Sequence, residues 1–343
     1  MFALPALAAL SPWRGTLGLQ RTAWFLLGVL FTLIIGFRYQ VGADWEPYLT
    51  MYANALDVPL SEAIEISDPA YALLNWLSGQ VGGEIFLVNL VCGAIVMAGV
   101  IGFCRRQPLP WLAMLVAVPF MIIVVAMGVT RQSAALGFLL LALVALQDGH
   151  VRRFVVLVVI GALFHMTALV LLPLAMVVAS RNRVWTMLWV GLTGLGLGAA
   201  ILVEHLDRFW MLYVEGQMMS EGAQIRIAMN ALPAVLLLIF RKKLAPEENE
   251  RRVWVWMAIV ALACIPLVGF ASTAVDRIAL YFMPIQLYVF SRVHRLFPDR
   301  PLKTVAVASV ILVYGLVQWV WLNHAVHATS WLPYQFYPMV WAL

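Results

Sequence analysis

Charged side chains are scarce in this sequence. Asp, Glu, Lys and Arg together make up 11% of its 343 residues, and lysine occurs only three times, at Lys242, Lys243 and Lys303. A water-soluble domain carries about 25% charged residues, so the usual soluble enzyme classes are excluded. Cysteine is rarer than the length would suggest. Cys92, Cys104 and Cys264 each fall inside an apolar run, where a thiol packs as a small hydrophobe, so neither a disulfide framework nor a cysteine zinc site is expected. No HxxxH, HExxH or DxD pair occurs and no GxSxG, which leaves metal and serine-nucleophile chemistry without support. Alternating apolar and polar residues of barrel type are also missing. The opening "MFALPALAALSPWRG" lacks the basic leading region of a secretory signal and reads as an interfacial segment over 1–21.

What is present is hydrophobic: 64% of the chain, with a mean hydropathy of +0.92. Apolar runs long enough to cross about 30 Å of hydrocarbon recur along the chain. They predict an all-α, polytopic membrane protein forming a single transmembrane domain over 1–343. Spans are expected near 22–37, 85–104, 109–127, 131–147, 184–203, 225–240, 253–271, 276–291 and 304–322. Residues 154–180 can form one long span or two short ones meeting near His165. The net charge of +5 does not point to nucleic acid, because the basic residues sit in short clusters beside the spans.

Those clusters decide the orientation. Arg14 and Arg21, Arg105 and Arg106, Arg152 and Arg153, Arg181 and Arg183, "RKK" at 241–243, Arg251 and Arg252, and Arg292 to Lys303 should all face the cytoplasm. One crossing at 154–180 would place Arg181, Arg183 and "RKK" outside, whereas two short helices keep them inside. The chain then crosses about eleven times with its N-terminus cytoplasmic, and broken helices of this kind suit the wall of an outward-facing polar cavity. Arg38, Arg131, Arg208, Arg226 and Arg277 are left on the outer side. An outer loop over 38–84 carries "DWEPYLTMYANAL" and "DPAYALLNWLSGQV", which predict amphipathic or re-entrant helices. A second, 204–224, has the composition of a lid. The cytoplasmic "LAPEENERR" reads as a solvated turn, and "GLTGLGLG" at 191–198 as a site of close helix packing.

An arginine at the hydrocarbon edge away from the cytoplasm meets an anion or a carboxylate, or it snorkels. Arg38, Arg131 and Arg277 are the candidates for an anion clamp, because a planar guanidinium matches phosphate oxygens in pairs. Arg131 also opens a helical pattern whose first N–H groups would favour an anion. The plain alternative for Arg277 is a salt bridge to its neighbour Asp276. Asp44 is either a general base or acceptor for sugar hydroxyls, or the cap of the helix that "DWEP" begins; Glu46 belongs to that first turn. His165, the one histidine inside an apolar stretch, is either a structural hydrogen-bonding residue or a second candidate base. Trp45, Tyr48, Tyr52, Tyr71 and Trp76 in the outer loop, with "WLPYQFYP" at 331–338, fit an interfacial aromatic belt or rings that stack on sugars.

Five segments in this order, "FRYQVGADWEPYLTMY", "GVTRQSAALGFLLLAL", "GALFHMTALVLLPL", "DRIALYFMPIQ" and "WLPYQFYP", resemble the EpsG family, which groups with Wzy-type polymerases of bacterial exopolysaccharide, capsule and O-antigen. The resemblance implies a GT-C-like glycosyltransferase of the bacterial inner membrane. It would move a growing glycan from undecaprenyl pyrophosphate to an incoming lipid-linked repeat unit on the periplasmic face. The family's first motif covers Arg38, Gly42, Asp44 and Tyr48, its second Arg131 and Gln132, its third His165, and its fourth Asp276, Arg277 and Tyr281. Asp44 and His165 are then the catalytic candidates. Arg38, Arg131, Arg277, Gln132, Tyr48, Asp276 and Tyr281 are the candidates for pyrophosphate and substrate binding, with no metal and no cofactor. The implied partners are the lipid-linked oligosaccharide and polymer, the bilayer, and the flippase and chain-length regulator of the same pathway; nucleic acid is not among them. The competing expectations are a ligase or another transferase using lipid-linked sugars, a transporter, and a structural subunit of a synthase.

Overall fold

The structure is a computed structural model describing residues 1–11, 16–178, 188, 191–193, 196 and 222–340. Arg14, Arg181, Arg183, His205 and Arg208, most of the expected span at 184–203 and nearly all of the second outer loop lie outside the described residues. Every long element described is a helix, and five helices are long and apolar enough to cross a membrane. The chain is a helical membrane protein.

An N-terminal helix α1 (Ala3–Leu10) precedes α2 (Leu17–Gly36), whose start is capped by Thr16 Oγ1 accepting from the Leu19 N–H at 3.4 Å. The segment expected as an outer loop with helices folds into three: α3 (Trp45–Asp57), α4 (Leu60–Ile66) and α5 (Pro69–Gln80). Next come α6 (Glu84–Cys104), α7 (Pro110–Gly128) and α8 (Thr130–Gln147). In α7 the stretch Val118–Val125 is π-helical and begins beside Pro119, which has no N–H for the α ladder. Helix α9 (Val151–Phe164) stops one residue before His165, and a 3-10 turn (Met166–Leu171) and α10 (Leu174–Val178) follow. A helix break therefore falls beside His165.

The remaining described helices are α11 (Ala223–Ile239), α12 (Arg241–Leu244), α13 (Glu248–Leu267), α14 (Ser272–Ala279), α15 (Pro284–Phe290), α16 (Arg300–His324) and α17 (Tyr337–Val340). Two expectations are corrected here. The run 276–291 is not one continuous α-helix: α14 ends at Ala279, Leu280–Phe282 form a 3-10 turn, and α15 starts at Pro284, whose ring cannot continue the ladder. The residues "ENERR" are not a turn either, since α13 already begins at Glu248, with its acidic side chains in the first turn where the helix dipole favours them.

The chain divides into two compact units, residues 1–138, 163–165 and 308–343, and residues 139–162 and 166–307. In the first, α7 is the core helix, with 83% of its apolar window buried against 22% for α2. A helix apolar on all sides must be enclosed by protein or lipid, and these two take the two solutions. Helices α6 and α8 cross at backbone contact. A Cβ on Gly99 would lie 2.2 Å from the Gly137 carbonyl oxygen, and one on Gly137 would lie 2.7 Å from Val96 Cα. Because the obstacle is backbone, no side chain can swing aside. Gly99→Ala and Gly137→Ala should each cost about 1–3 kcal/mol, read as a lower Tm of the purified protein; an unchanged Tm in both would refute the close crossing. In the second unit the core is marked by Trp254 stacked on Tyr288, centroids 4.0 Å apart, with Arg292 over the same tyrosine and paired to Glu250 at 2.9 Å.

Candidate active site

After α2 the chain reverses through Gln40 (φ +53°) and Gly42 (φ +106°). At Gly42 a Cβ would sit 2.2 Å from the Met127 carbonyl oxygen, so only glycine fits the reversal. The turn sends Arg38 back into the protein, where it is 1% exposed. Its Nη1 donates to the Ile35 carbonyl at 2.8 Å and its Nε to the Val41 carbonyl at 3.2 Å. Its Nη2 donates to Asn89 Oδ1 at 3.0 Å and to Thr130 Oγ1 at 2.7 Å. Ile35 is in the last turn of α2, whose carbonyls have no partner within the helix, so Arg38 caps the negative end of its own helix. Burial pushes the guanidinium pKa down, yet an arginine stays charged at any physiological pH. All four acceptors are neutral, and among the described residues no carboxylate pairs with Arg38.

Arg131 stands in the first turn of α8, one residue after Thr130. Its Nη1 meets Asp68 Oδ2 at 2.7 Å, its side chain remains 26% exposed, and the guanidinium carbon lies 6.0 Å from the Tyr71 ring centroid. The Arg131 backbone N–H points to the Tyr48 hydroxyl at 3.4 Å, and Tyr48 and Tyr71 lie 5.7 Å apart. Three buried donors of this cluster have no hydrogen-bond partner among the described residues: Tyr71 Oη, Asn89 Nδ2 and Arg131 Nε. Burial pushes the Tyr71 phenol well up, so it remains a protonated donor. Gln132 is buried. Asp44 occupies the N-cap position of α3 and its carbonyl accepts the Tyr48 N–H at 3.1 Å, but its carboxylate makes no capping bond. Glu46 is exposed in that first turn.

The C-terminal aromatic segment closes onto the same place. Tyr39 N–H donates to the Gln335 carbonyl at 3.0 Å, Tyr337 N–H to the Phe37 carbonyl at 2.8 Å, and Gly42 N–H to the Ser330 carbonyl at 2.8 Å. The Tyr334 hydroxyl reaches the Ile34 carbonyl at 2.5 Å, and Trp331 Nε1 the Ile123 carbonyl in the π-helical stretch at 2.9 Å. A Cβ on Gly128 would touch the Trp331 ring at 2.7 Å. Rings fill the space between: Phe86 stacks on Tyr337 at 3.9 Å, and Tyr39 meets Trp45 edge-on at 6.0 Å. The buried rings of Trp45, Tyr48 and Tyr71 therefore form a floor of the cluster, not an exposed aromatic belt. Residues 37–52, 128–138 and 331–338, far apart in sequence, make one polar and aromatic body within the first unit.

His165 belongs to this first unit, half-buried at the end of α9, where Phe164 and Phe138 lie 5.7 Å apart. Arg277, Asp276 and Tyr281 belong to the second. There Asp276 is held by Arg226, Nε to Oδ1 at 2.8 Å and Nη2 to Oδ2 at 2.6 Å. The expected salt bridge of Asp276 is thus made with Arg226, because adjacent residues on a helix do not face each other. Arg277 is half-buried on the same helix. Buried Tyr281 accepts a hydrogen bond from Thr167 at 3.2 Å, which joins the third and fourth motif segments. Asn230 completes the second unit's network, donating to the Ala279 carbonyl at 3.0 Å and accepting from Gln286 at 2.7 Å. Asp276→Asn and Arg226→Gln should each lower stability by about 1–3 kcal/mol, while the double variant loses less than their sum. Strict additivity of the three Tm shifts would show that the pair contributes nothing.

Sequence reasoning did not single out Asp68, Asn89, Thr130, Asn230 or Gln286. The one available signal was a polar residue inside an otherwise apolar helix, which Asn89 and Asn230 both provide. Searches of curated proteins and of solved structures return no match. The family model of EpsG matches residues 21–336, which takes in the first four segments described above and residues 331–336 of the fifth, and the chain belongs to the EpsG family.

Proposed function

We propose that this protein is a polysaccharide polymerase. It moves a growing glycan from undecaprenyl pyrophosphate to the non-reducing end of an incoming lipid-linked repeat unit at the outer face of the bacterial inner membrane. Membership of the EpsG family supports the reaction class. The observation that carries the site is the local positive surplus around Arg38: this buried arginine pairs with no carboxylate among the described residues, and near it are Arg131 with its partner Asp68 and three donors lacking partners among the described residues. Such a place favours an anion, and a pyrophosphate leaving group develops its negative charge as the glycosidic bond breaks.

Arg131 takes the diphosphate directly, exchanging the Asp68 carboxylate for phosphate oxygens. Arg38 fixes Thr130 and Asn89 around it and adds charge from within. Gln132 and Tyr48 position the same group. Arg277, Asp276 and Tyr281 are the remaining residues proposed to bind substrate. The acceptor hydroxyl attacks the anomeric carbon, the bond to the pyrophosphate oxygen breaks with inversion, and the hydroxyl proton passes to Asp44 or His165. No metal takes part. The membrane frame of this proposal is a GT-C-like arrangement of about eleven crossings with a cytoplasmic N-terminus.

Incubating the purified protein with a lipid-linked repeat unit tests the reaction. A ladder with regular spacing identifies a polymerase, a single added unit a ligase or simple transferase, and an unaltered substrate overturns the proposal.

A further inference from the structure

A second charged site lies in the second unit, at the end of α11 opposite to Arg226. A cleft of about 170 Å³ is lined by Arg241, Arg251, Arg252, Val255 and Trp256. On α13 the residues Arg252, Val255, Trp256 and Ile259 follow one another at helical spacing and so share one face. Trp256 is 48% exposed and Ile259 43%, and beside them Ile239 and Phe240 at the end of α11 are also exposed. An apolar outer face that ends in an exposed tryptophan and then in guanidinium groups matches, in order, the acyl region, the interface and the headgroup layer of a bilayer.

We propose that this cleft binds the phosphodiester headgroup of an anionic phospholipid of the cytoplasmic leaflet. The side of the membrane rests on the topology proposed above; the site itself is independent of the transfer reaction. The arginines divide the work. Arg251 Nη1 donates to the carbonyls of Ala245 and Pro246 at 3.1 and 2.9 Å, which shapes the loop. Arg252 pairs with Glu248 one turn earlier, and both side chains are largely exposed, so the pair is weak and readily exchanged for phosphate. Among the described residues no carboxylate pairs with Arg241. The cleft selects lipid over a soluble anion because the phosphate is delivered together with acyl chains that cover Trp256, Ile259, Ile239 and Phe240. Scattered basic residues that only orient the chain would not need a cleft, nor a tryptophan within it.

The full-length protein in nanodiscs of phosphatidylcholine with a minor fraction of phosphatidylglycerol provides the test, with protein-retained lipid counted by native mass spectrometry. Wild type should retain phosphatidylglycerol in preference. Arg241→Gln with Arg252→Gln should lower that preference by about five-fold for each arginine removed. Lys242→Gln with Lys243→Gln removes the same charge from outside the cleft and should change it by no more than about two-fold. Equal losses in the two double variants would overturn the proposal, since they would mean diffuse attraction only. Inorganic phosphate in pure phosphatidylcholine discs is the remaining arm: protection of the wild-type Tm equal to that given by phosphatidylglycerol would also overturn it, by showing a soluble-anion site. Both leaflets of a nanodisc have the same composition, so failure here says nothing about orientation or glycan transfer.

Discussion

Replacing Arg131 by Ala should reduce glycan transfer by about 10²–10³-fold while the protein still inserts and folds, because this arginine is partly exposed and its carboxylate partner among the described residues, Asp68, sits at a helix start that water can reach. Arg131→Lys should recover little. An ammonium can match the charge but not the paired geometry of a guanidinium on phosphate. Asp68→Asn separates two roles for the ion pair. If Asp68 only holds Arg131 until phosphate arrives, transfer in that variant stays within about ten-fold of wild type, because the hydrogen-bonding shape survives and the competing charge is gone. If Asp68→Asn is as inactive as Arg131→Ala, the pair is itself the functional unit. A full-length ladder from Arg131→Ala would remove the arginine from the mechanism altogether.

Arg38 should behave differently. Arg38→Met keeps the length of the side chain but removes the donors that meet the Ile35 and Val41 carbonyls, Asn89 and Thr130. Leaving those acceptors buried and unsatisfied should cost about 3–5 kcal/mol, enough to lower the steady-state level of the protein as well as its Tm. Arg38→Lys should not rescue it, since three donors on one nitrogen cannot reach four acceptors spread around a planar group. The measurement is Tm and membrane abundance beside transfer. A variant of normal stability that had lost only transfer would make Arg38 a direct substrate ligand and refute its part as a positioning residue.

The contrast between these arginines shows what the sequence could and could not disclose. Both were visible as charges stranded on the outer side of apolar helices, and hydrophobic run length together with basic clusters located the long helices and the break at His165. Which arginine was buried was not visible. That depends on Asn89 and Thr130, 51 and 92 residues away from Arg38, and on a Gly42 turn whose tightness comes from the Met127 carbonyl. Neutral polar partners at such separations leave no periodic trace. The division of 276–291 was hidden for another reason: its residues are apolar throughout the break, and only Pro284 announced it. A salt bridge of Asp276 with its sequence neighbour Arg277 is one alternative that the sequence offers, whereas helix geometry turns consecutive side chains about 100° apart and the structure pairs Asp276 with Arg226.

The pairing of Tyr39 with Gln335 and of Phe37 with Tyr337 has a consequence for biosynthesis. The wall beside Arg38 is completed by chain made some three hundred residues later, so a ribosome-bound precursor already carries Arg38 but cannot yet cover it from that side.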